Sequence, residues 1–248
     1  MKRKERHHLK ENELAQTLTA ASAAFASRKS LIVGIALAVL LVAGIVGAIN
    51  VWRRGDDAQA DRLLADAMVA FEAPVIPATT TSSQPGEVPA AATLGATGSF
   101  ATEAAKLNAA LPKLKAAADA YPDTPAGITA RYHYASSLAS LGRNDEAIQA
   151  FDDVMSRSGR NTLYGRMALM GKADTQARAG QYDSAIATWT ELEASADQDL
   201  PKDAILMELA KAYQASGKQD DARKIFARVV DEYPTSPYVP EAKTALGS

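Results

Sequence analysis

Three stretches of the chain are copies of one another. Gly142-Arg-Asn-Asp-Glu-Ala147 followed by Phe151 recurs as Gly180-Gln-Tyr-Asp-Ser-Ala185 followed by Trp189. It recurs again as Gly217-Lys-Gln-Asp-Asp-Ala222 followed by Phe226. The alanine returns at steps of 38 and 37 residues, with glycine five before it, aspartate two before it and an aromatic four after it. A fixed period of this size is the mark of stacked helical hairpins, each unable to bury its apolar face alone.

Each copy reads as the junction between two helices. The glycine ends the first helix in the left-handed conformation. The aspartate enters the first turn of the second, where the helix dipole favours negative charge. The alanine lets the two helices approach, and the aromatic one turn later fills the space between them. Tyr121-Pro-Asp-Thr-Pro125 returns as Tyr233-Pro-Thr-Ser-Pro237, 112 residues on, which is three periods. Ala110, Leu114 and Ala117 precede the first Tyr-Pro as a second helix of a hairpin would. Pro112 lies inside that helix and predicts a kink or a break, because it removes a donor and crowds the preceding turn. After Pro237 a short capping helix is expected, covering the last apolar face.

The spacing resembles the tetratricopeptide repeat family over roughly residues 100–246. Leu206, Leu209, Ala210, Tyr213, Ala222, Phe226 and Pro234 stand at the consensus places of the last copy. The middle copy keeps Leu169, Ala173, Ala185 and Trp189, with Lys172 and Gln176 at two normally apolar places. The first keeps Tyr134, Ala135, Ala147 and Phe151, with Arg131 where the family usually has tryptophan. The resemblance implies an all-α solenoid of about three to four repeats whose first helices line an inner groove. Carried onto this chain, that groove is expected from Thr129, Tyr132 and Ser136, then Met167, Met170 and Asp174, then Ala204, Met207 and Lys211. Tyr132, Met167, Met170, Met207 and Lys211 are the candidate partner-binding residues, methionine being adaptable to varied apolar surfaces.

Leu31 to Val51 is the second constraint. These 21 residues carry no charge. At ~1.5 Å per residue the helix reaches about 31 Å, the thickness of a hydrocarbon core. Trp52 stands at its boundary. The run is longer than a signal-peptide core and ends in Trp52-Arg53-Arg54, a poor cleavage context, so an uncleaved transmembrane helix over 31–51 is expected. Within it Ala36, Ala43 and Gly47 share a face that permits close packing of a second membrane helix. The tail 1–30 holds seven Lys or Arg and three Glu, which by the positive-inside bias puts the N-terminus in the cytoplasm. Leu14, Leu18, Ala21 and Phe25 fall on one face of that tail and suggest an amphipathic helix on the inner surface.

The rest of the plan follows from composition. Residues 52–73 read as a helix continuing from the anchor, with Leu63, Leu64, Ala67, Met68 and Phe71 at helical spacing. It could pair with the helix around 100–120 as the first half of a hairpin. Residues 74–98, rich in Pro, Thr and Ser, read as a flexible linker, and 99–248 as the repeat domain. Beyond the span the chain holds 20 basic and 26 acidic residues, which argues against nucleic acid. It has no cysteine, which excludes disulfides, thiolate chemistry and a lipoprotein anchor. No paired-histidine, phosphate-loop or nucleophile-elbow motif occurs. The expectation is therefore a non-enzyme without cofactor, metal or small-molecule substrate, and His133 is expected to pack rather than to ligate.

A basic tail, one span and a short repeat domain together resemble the ancillary subunit family of the SecYEG translocon. Its repeat part is shared with the periplasmic cell-division coordinator of the Tol-Pal system. The resemblance implies a bacterial inner-membrane protein with a periplasmic C-terminal domain. It implies translocon subunits, a periplasmic chaperone or exported chains as partners. An alternative is a structural scaffold of an envelope or cell-division complex.

Overall fold

The computed structural model describes residues 29–76, 98–194 and 200–247. The chain falls into two compact units, Met1–Gly55 and Asp56–Ser248. Among the described residues there are nine helices and no strand longer than a single bridge: α1 Lys29–Phe71, α2 Glu103–Ala120, α3 Pro125–Ser140, α4 Asn144–Ser158, α5 Leu163–Arg178, α6 Tyr182–Ala194, α7 Lys202–Ala215, α8 Gln219–Glu232 and α9 Val239–Leu246. The amphipathic helix expected in the tail, and most of the expected linker, lie outside the described residues.

In the first unit, α1 is the one helix among the described residues that is long and apolar enough to cross a membrane, judged by length and composition. Leu37, Leu40, Leu41, Ile45 and Val51 are all exposed on it. Of the three small residues expected to form a packing face, Ala43 is exposed and a side chain added at Gly47 meets nothing within 4 Å. Ala36 lies in the helix, and its side chain is outside the described ones.

The second unit is a row of antiparallel hairpins. α3–α4, α5–α6 and α7–α8 are the three copies seen in the sequence. Their hinges are alike: Gly142, Gly180 and Gly217 have φ of 74°, 74° and 80°. After each, the next amide reaches back five residues, Arg143 to Leu138, Gln181 to Gln176 and Lys218 to Tyr213, all at 2.9 Å. This six-to-one closure satisfies carbonyls that the helix end leaves open, and only glycine adopts the required conformation without strain. The alanines that follow are sealed (Ala147 0%, Ala185 0%, Ala222 1% exposed), and Phe151, Trp189 and Phe226 lie over them, also buried.

The last part of α1, from Asp56, packs as the first helix of an additional hairpin whose second helix is α2. Ala67 joins Ala110 and Leu114 in one small core, and Leu64 packs on Ala117, Ala118 and Ala130 in the next. Asp66 pairs with Lys113 at 3.0 Å, and the Tyr121 hydroxyl donates to Gln59 at 2.6 Å. The two ends of the long connection are tied together by backbone bonds: Ile76 N–H to the Phe100 carbonyl at 2.9 Å and Phe100 N–H to the Pro74 carbonyl at 3.0 Å.

Of the kink or break expected at Pro112, the break does not occur: α2 runs through it from Glu103 to Ala120. Pro112 is exposed, so the carbonyl it leaves unpaired has water within reach. At the other end α9 lays Ala242 into the core of α7 and α8.

Candidate functional site

Two of the hairpins begin with the same local device. The Thr124 hydroxyl accepts from Gly127 N–H and donates to the Tyr121 carbonyl. The Thr162 hydroxyl accepts from Gly165 N–H and donates to the Gly159 carbonyl. The threonines are N-caps. The glycines are required by space, since a Cβ on Gly127 would stand 1.9 Å from the Tyr121 oxygen and one on Gly165 2.0 Å from that of Gly159. These caps fix where α3 and α5 start, and hence which residues share their outer face.

Along α5, Leu163, Met167, Met170 and Asp174 follow at steps of four, three and four, and so form one ridge. Leu163 is 61% exposed; the methionines and Asp174 are half-buried. Tyr132 of α3 stands beside the start of this ridge, 5.8 Å from Tyr164 and 6.1 Å from Phe151, ring centre to ring centre. Tyr132, Tyr164 and Met170 all pack on the same core. Thr129 donates to the Pro125 carbonyl and accepts from the Tyr164 hydroxyl, each at 2.8 Å, which fixes that ring. Tyr132, Met167 and Met170 are thus brought to one neighbouring pair of helices.

Met207 is not available in the same way. It is 0% exposed and fills a separate core with Leu206, Phe226, Val229 and Ala242. The physical reason is α9, whose Ala242 closes that core. The expectation that Met207 lines an open groove is therefore corrected: its side chain is structural. Lys211 is half-buried and already engaged, with Glu208 at 3.1 Å and Glu241 at 3.3 Å. Burial pulls its ammonium down, and the hydrogen bonds and charges of the two carboxylates more than offset this, so it titrates above its ordinary range.

The polar departures from the repeat pattern are each partnered. Lys172 reaches Asp152 at 2.6 Å, and Gln176, buried, accepts from Thr188 at 2.9 Å. Arg131, 9% exposed, donates to the Ala118 carbonyl at 2.8 Å and pairs with Asp153 and more loosely with Asp119. Each is held by neighbouring helices as part of the fold. Among the described residues no cluster of three or more His, Asp or Glu could hold a metal ion.

Sequence reasoning missed Leu163 and Tyr164. Their signal was present, since Leu163 continues the 163–167–170 spacing, but both stand ahead of the consensus places from which the groove was drawn.

Paired antiparallel helices repeated in one direction, with a ridge of apolar side chains on the first helices, define a class: the helical-hairpin interaction scaffolds. The match to the tetratricopeptide repeat model spans residues 101–159 and 168–237, more than half of the chain, and the chain belongs to that family. Known members are non-catalytic protein-interaction scaffolds. No curated protein matches the chain. Among solved structures it is similar to the nearly identical TPR-like repeats of a putative kinesin light chain from Podosopora anserina. That likeness has 17% identity and a TM-score of 0.49 and covers 57% of this chain and 76% of the other. It is also similar to MamA, residues 41 to the end, from Desulfovibrio magneticus RS-1. There the identity is 22% and the TM-score 0.47, covering 57% of this chain and 73% of the other.

Proposed function

We propose that this is a single-pass inner-membrane adaptor with a cytoplasmic N-terminus. Its repeat domain lies outside the cytoplasm and receives apolar segments of exported chains beside the Sec translocon. The observation that carries the binding part is the ridge Leu163–Met167–Met170 beside Tyr132, large and adaptable apolar side chains left partly open in a family that binds proteins. The anchoring part is supported by the charge-free run 31–51 and the basic tail ahead of it. The translocon part is supported by the order of tail, span and repeats.

The test is site-specific photocross-linking from Met167 and Met170 in native membranes, comparing the parent with a Tyr132→Ser, Met167→Ser, Met170→Ser variant. The adaptor reading expects many newly exported chains captured by the parent, and several-fold fewer by the variant. One defined folded partner in place of many chains would transfer the assignment to an envelope or division scaffold. A periplasm-dependent reporter fused after Ser248 checks topology, and activity only when it is fused at the N-terminus reverses the orientation.

A further inference from the structure

α1 ends at Phe71, whose ring lies 4.8 Å from the imidazole of His133 at a tilt of 55°. Phe71 packs on Ala67, Ala110 and Leu114, the core of the first hairpin. His133 belongs to α3, which opens the next repeat, and also meets Tyr132 edge-on at 5.7 Å. The tilted contact with Phe71 therefore joins two hairpins through one imidazole. It is half-buried, and no described residue hydrogen-bonds either ring nitrogen. Glu72, just past the end of α1, is the one charged group among the described residues that acts on it. The neighbouring rings of Phe71 and Tyr132 offer it no charge.

We propose that this seam is a pH-sensitive joint: protonation of His133 in mild acid loosens the end of α1 from α3. A neutral imidazole sits comfortably between two rings. An imidazolium needs water or an acceptor on both nitrogens, and packing against Phe71 and Tyr132 leaves the ring half-buried. Burial accordingly holds His133 below its ordinary range, and Glu72 pulls the other way without cancelling it. The sign follows. A loosened chain takes up the proton first, near the ordinary histidine value of ~6.5, so the seam is at full strength above that pH and weakens as pH falls through the lower value of the closed form. Attraction between the cation and the Phe71 face opposes this. Phenylalanine is a weaker cation–π partner than tryptophan, and the 55° tilt aims the imidazole away from ideal stacking.

The joint borders the binding ridge, because Tyr132 is a neighbour of both His133 and Tyr164. Under the adaptor reading, opening the joint frees Tyr132 on one side and makes retention of a partner pH-dependent. That consequence rests on the proposed function, whereas the joint itself does not.

Hydrogen exchange on the full chain in detergent micelles tests it, at about pH 7.5 and 5.5, corrected for intrinsic rates. Amides of 64–71 and 130–136 are expected to exchange roughly threefold faster at the lower pH, as local opening becomes easier. His133→Phe keeps a ring and removes the titration, and should abolish the acceleration. Glu72→Gln removes the one favourable charge and should enlarge it. Equal acceleration in parent and His133→Phe, or none in the parent, overturns the proposal. Should His133→Phe fail to fold, the NMR titration of His133 in the parent decides: a midpoint below ~6.5 supports the joint, and one at or above it refutes it. Partner capture lost at both pH values, with the exchange pattern intact, would fault the adaptor reading and leave the joint standing.

Discussion

At the place where the last repeat, α7–α8, holds Leu206 at 1% exposure, the first full repeat, α3–α4, holds Arg131 at 9%. The facing position, six residues after the buried alanine of the second helix, changes with it. It is Asp153 beside Arg131, and Arg228 in the last repeat. Arg131 pairs with Asp153, while Arg228 turns instead to Glu232 at 2.7 Å and to Glu193 of α6 at 2.8 Å. Those hydrogen bonds, to Glu232 first and then Glu193, hold the Arg228 guanidinium well above its ordinary range. The slot requires filled volume and balanced charge, then, and no particular residue. A cation is admitted in the first repeat, where the neighbouring helix supplies Asp153, and an aliphatic chain in the last, where it supplies Arg228; the middle repeat holds Leu169 opposite Glu191, whose charge goes to Arg160 at 2.7 Å.

Swapping the two slots is the strongest way to break this comparison. Leu206→Arg places a guanidinium in an apolar core that faces Arg228, and is expected to cost about 3–5 kcal/mol in urea unfolding, the scale of an uncompensated buried charge. Adding Arg228→Asp recreates the arrangement of the first repeat and should return at least about 1 kcal/mol as coupling in a double-mutant cycle. Zero coupling would mean that the charge exchange between the repeats is incidental.

The hairpin starts give a second contrast. α5 begins with the Thr162 cap and Gly165. α7 begins after Pro201 with no side-chain cap, and Lys202 stands where the period places the glycine. Lys202 donates instead to the Leu192 and Glu193 carbonyls at 3.2 and 2.7 Å, closing the end of α6. Gly165→Ala drives a methyl into backbone and should cost about 2–3 kcal/mol, because no side chain can move aside. Lys202→Ala removes one cap from the end of α6 without driving any atom into backbone, and should cost below about 1 kcal/mol. Similar losses in thermal unfolding would show that the two starts are equivalent after all.

The same contrast shows what the sequence carried. The glycine hinges, the sealed alanines and the aromatics over them were legible because identical geometry imposes identical residues three times. Arg131, Lys172 and Gln176 were legible only as departures, since their partners Asp153, Asp152 and Thr188 lie on other helices. The hairpin formed by the end of α1 and α2 was foreseen only as a possibility, because a long connection separates its halves and removes the period. Of the proposed binding residues, Tyr132, Met167 and Met170 came from helix position alone. Met207 was misjudged because its burial depends on α9, more than thirty residues further on.

The smallest expected effect concerns Arg131 itself. Removing one member of a buried ion pair is usually severe, because the other is stranded without water. Here the carboxylates are not stranded: the side chains of Asp153 and Asp119 are 39% and 47% exposed. Asp153 keeps Arg157 at 3.4 Å, and Asp119 keeps Lys115, whose hydrogen bond is the leading reason its carboxyl titrates low. Against this, leucine loses the bond to the Ala118 carbonyl and gains apolar burial next to α2 and α4. A guanidinium nitrogen, Nε, that has no partner in the buried slot also disappears. These terms are of similar size and opposite sign, so Arg131→Leu should change stability by less than about 1.5 kcal/mol, in either direction. Asp119 should still titrate below the ordinary carboxylate range, since Lys115 remains. A loss as large as that of Leu206→Arg, or a return of Asp119 to ordinary values, would make Arg131 the organiser of this seam rather than one admissible filling of it.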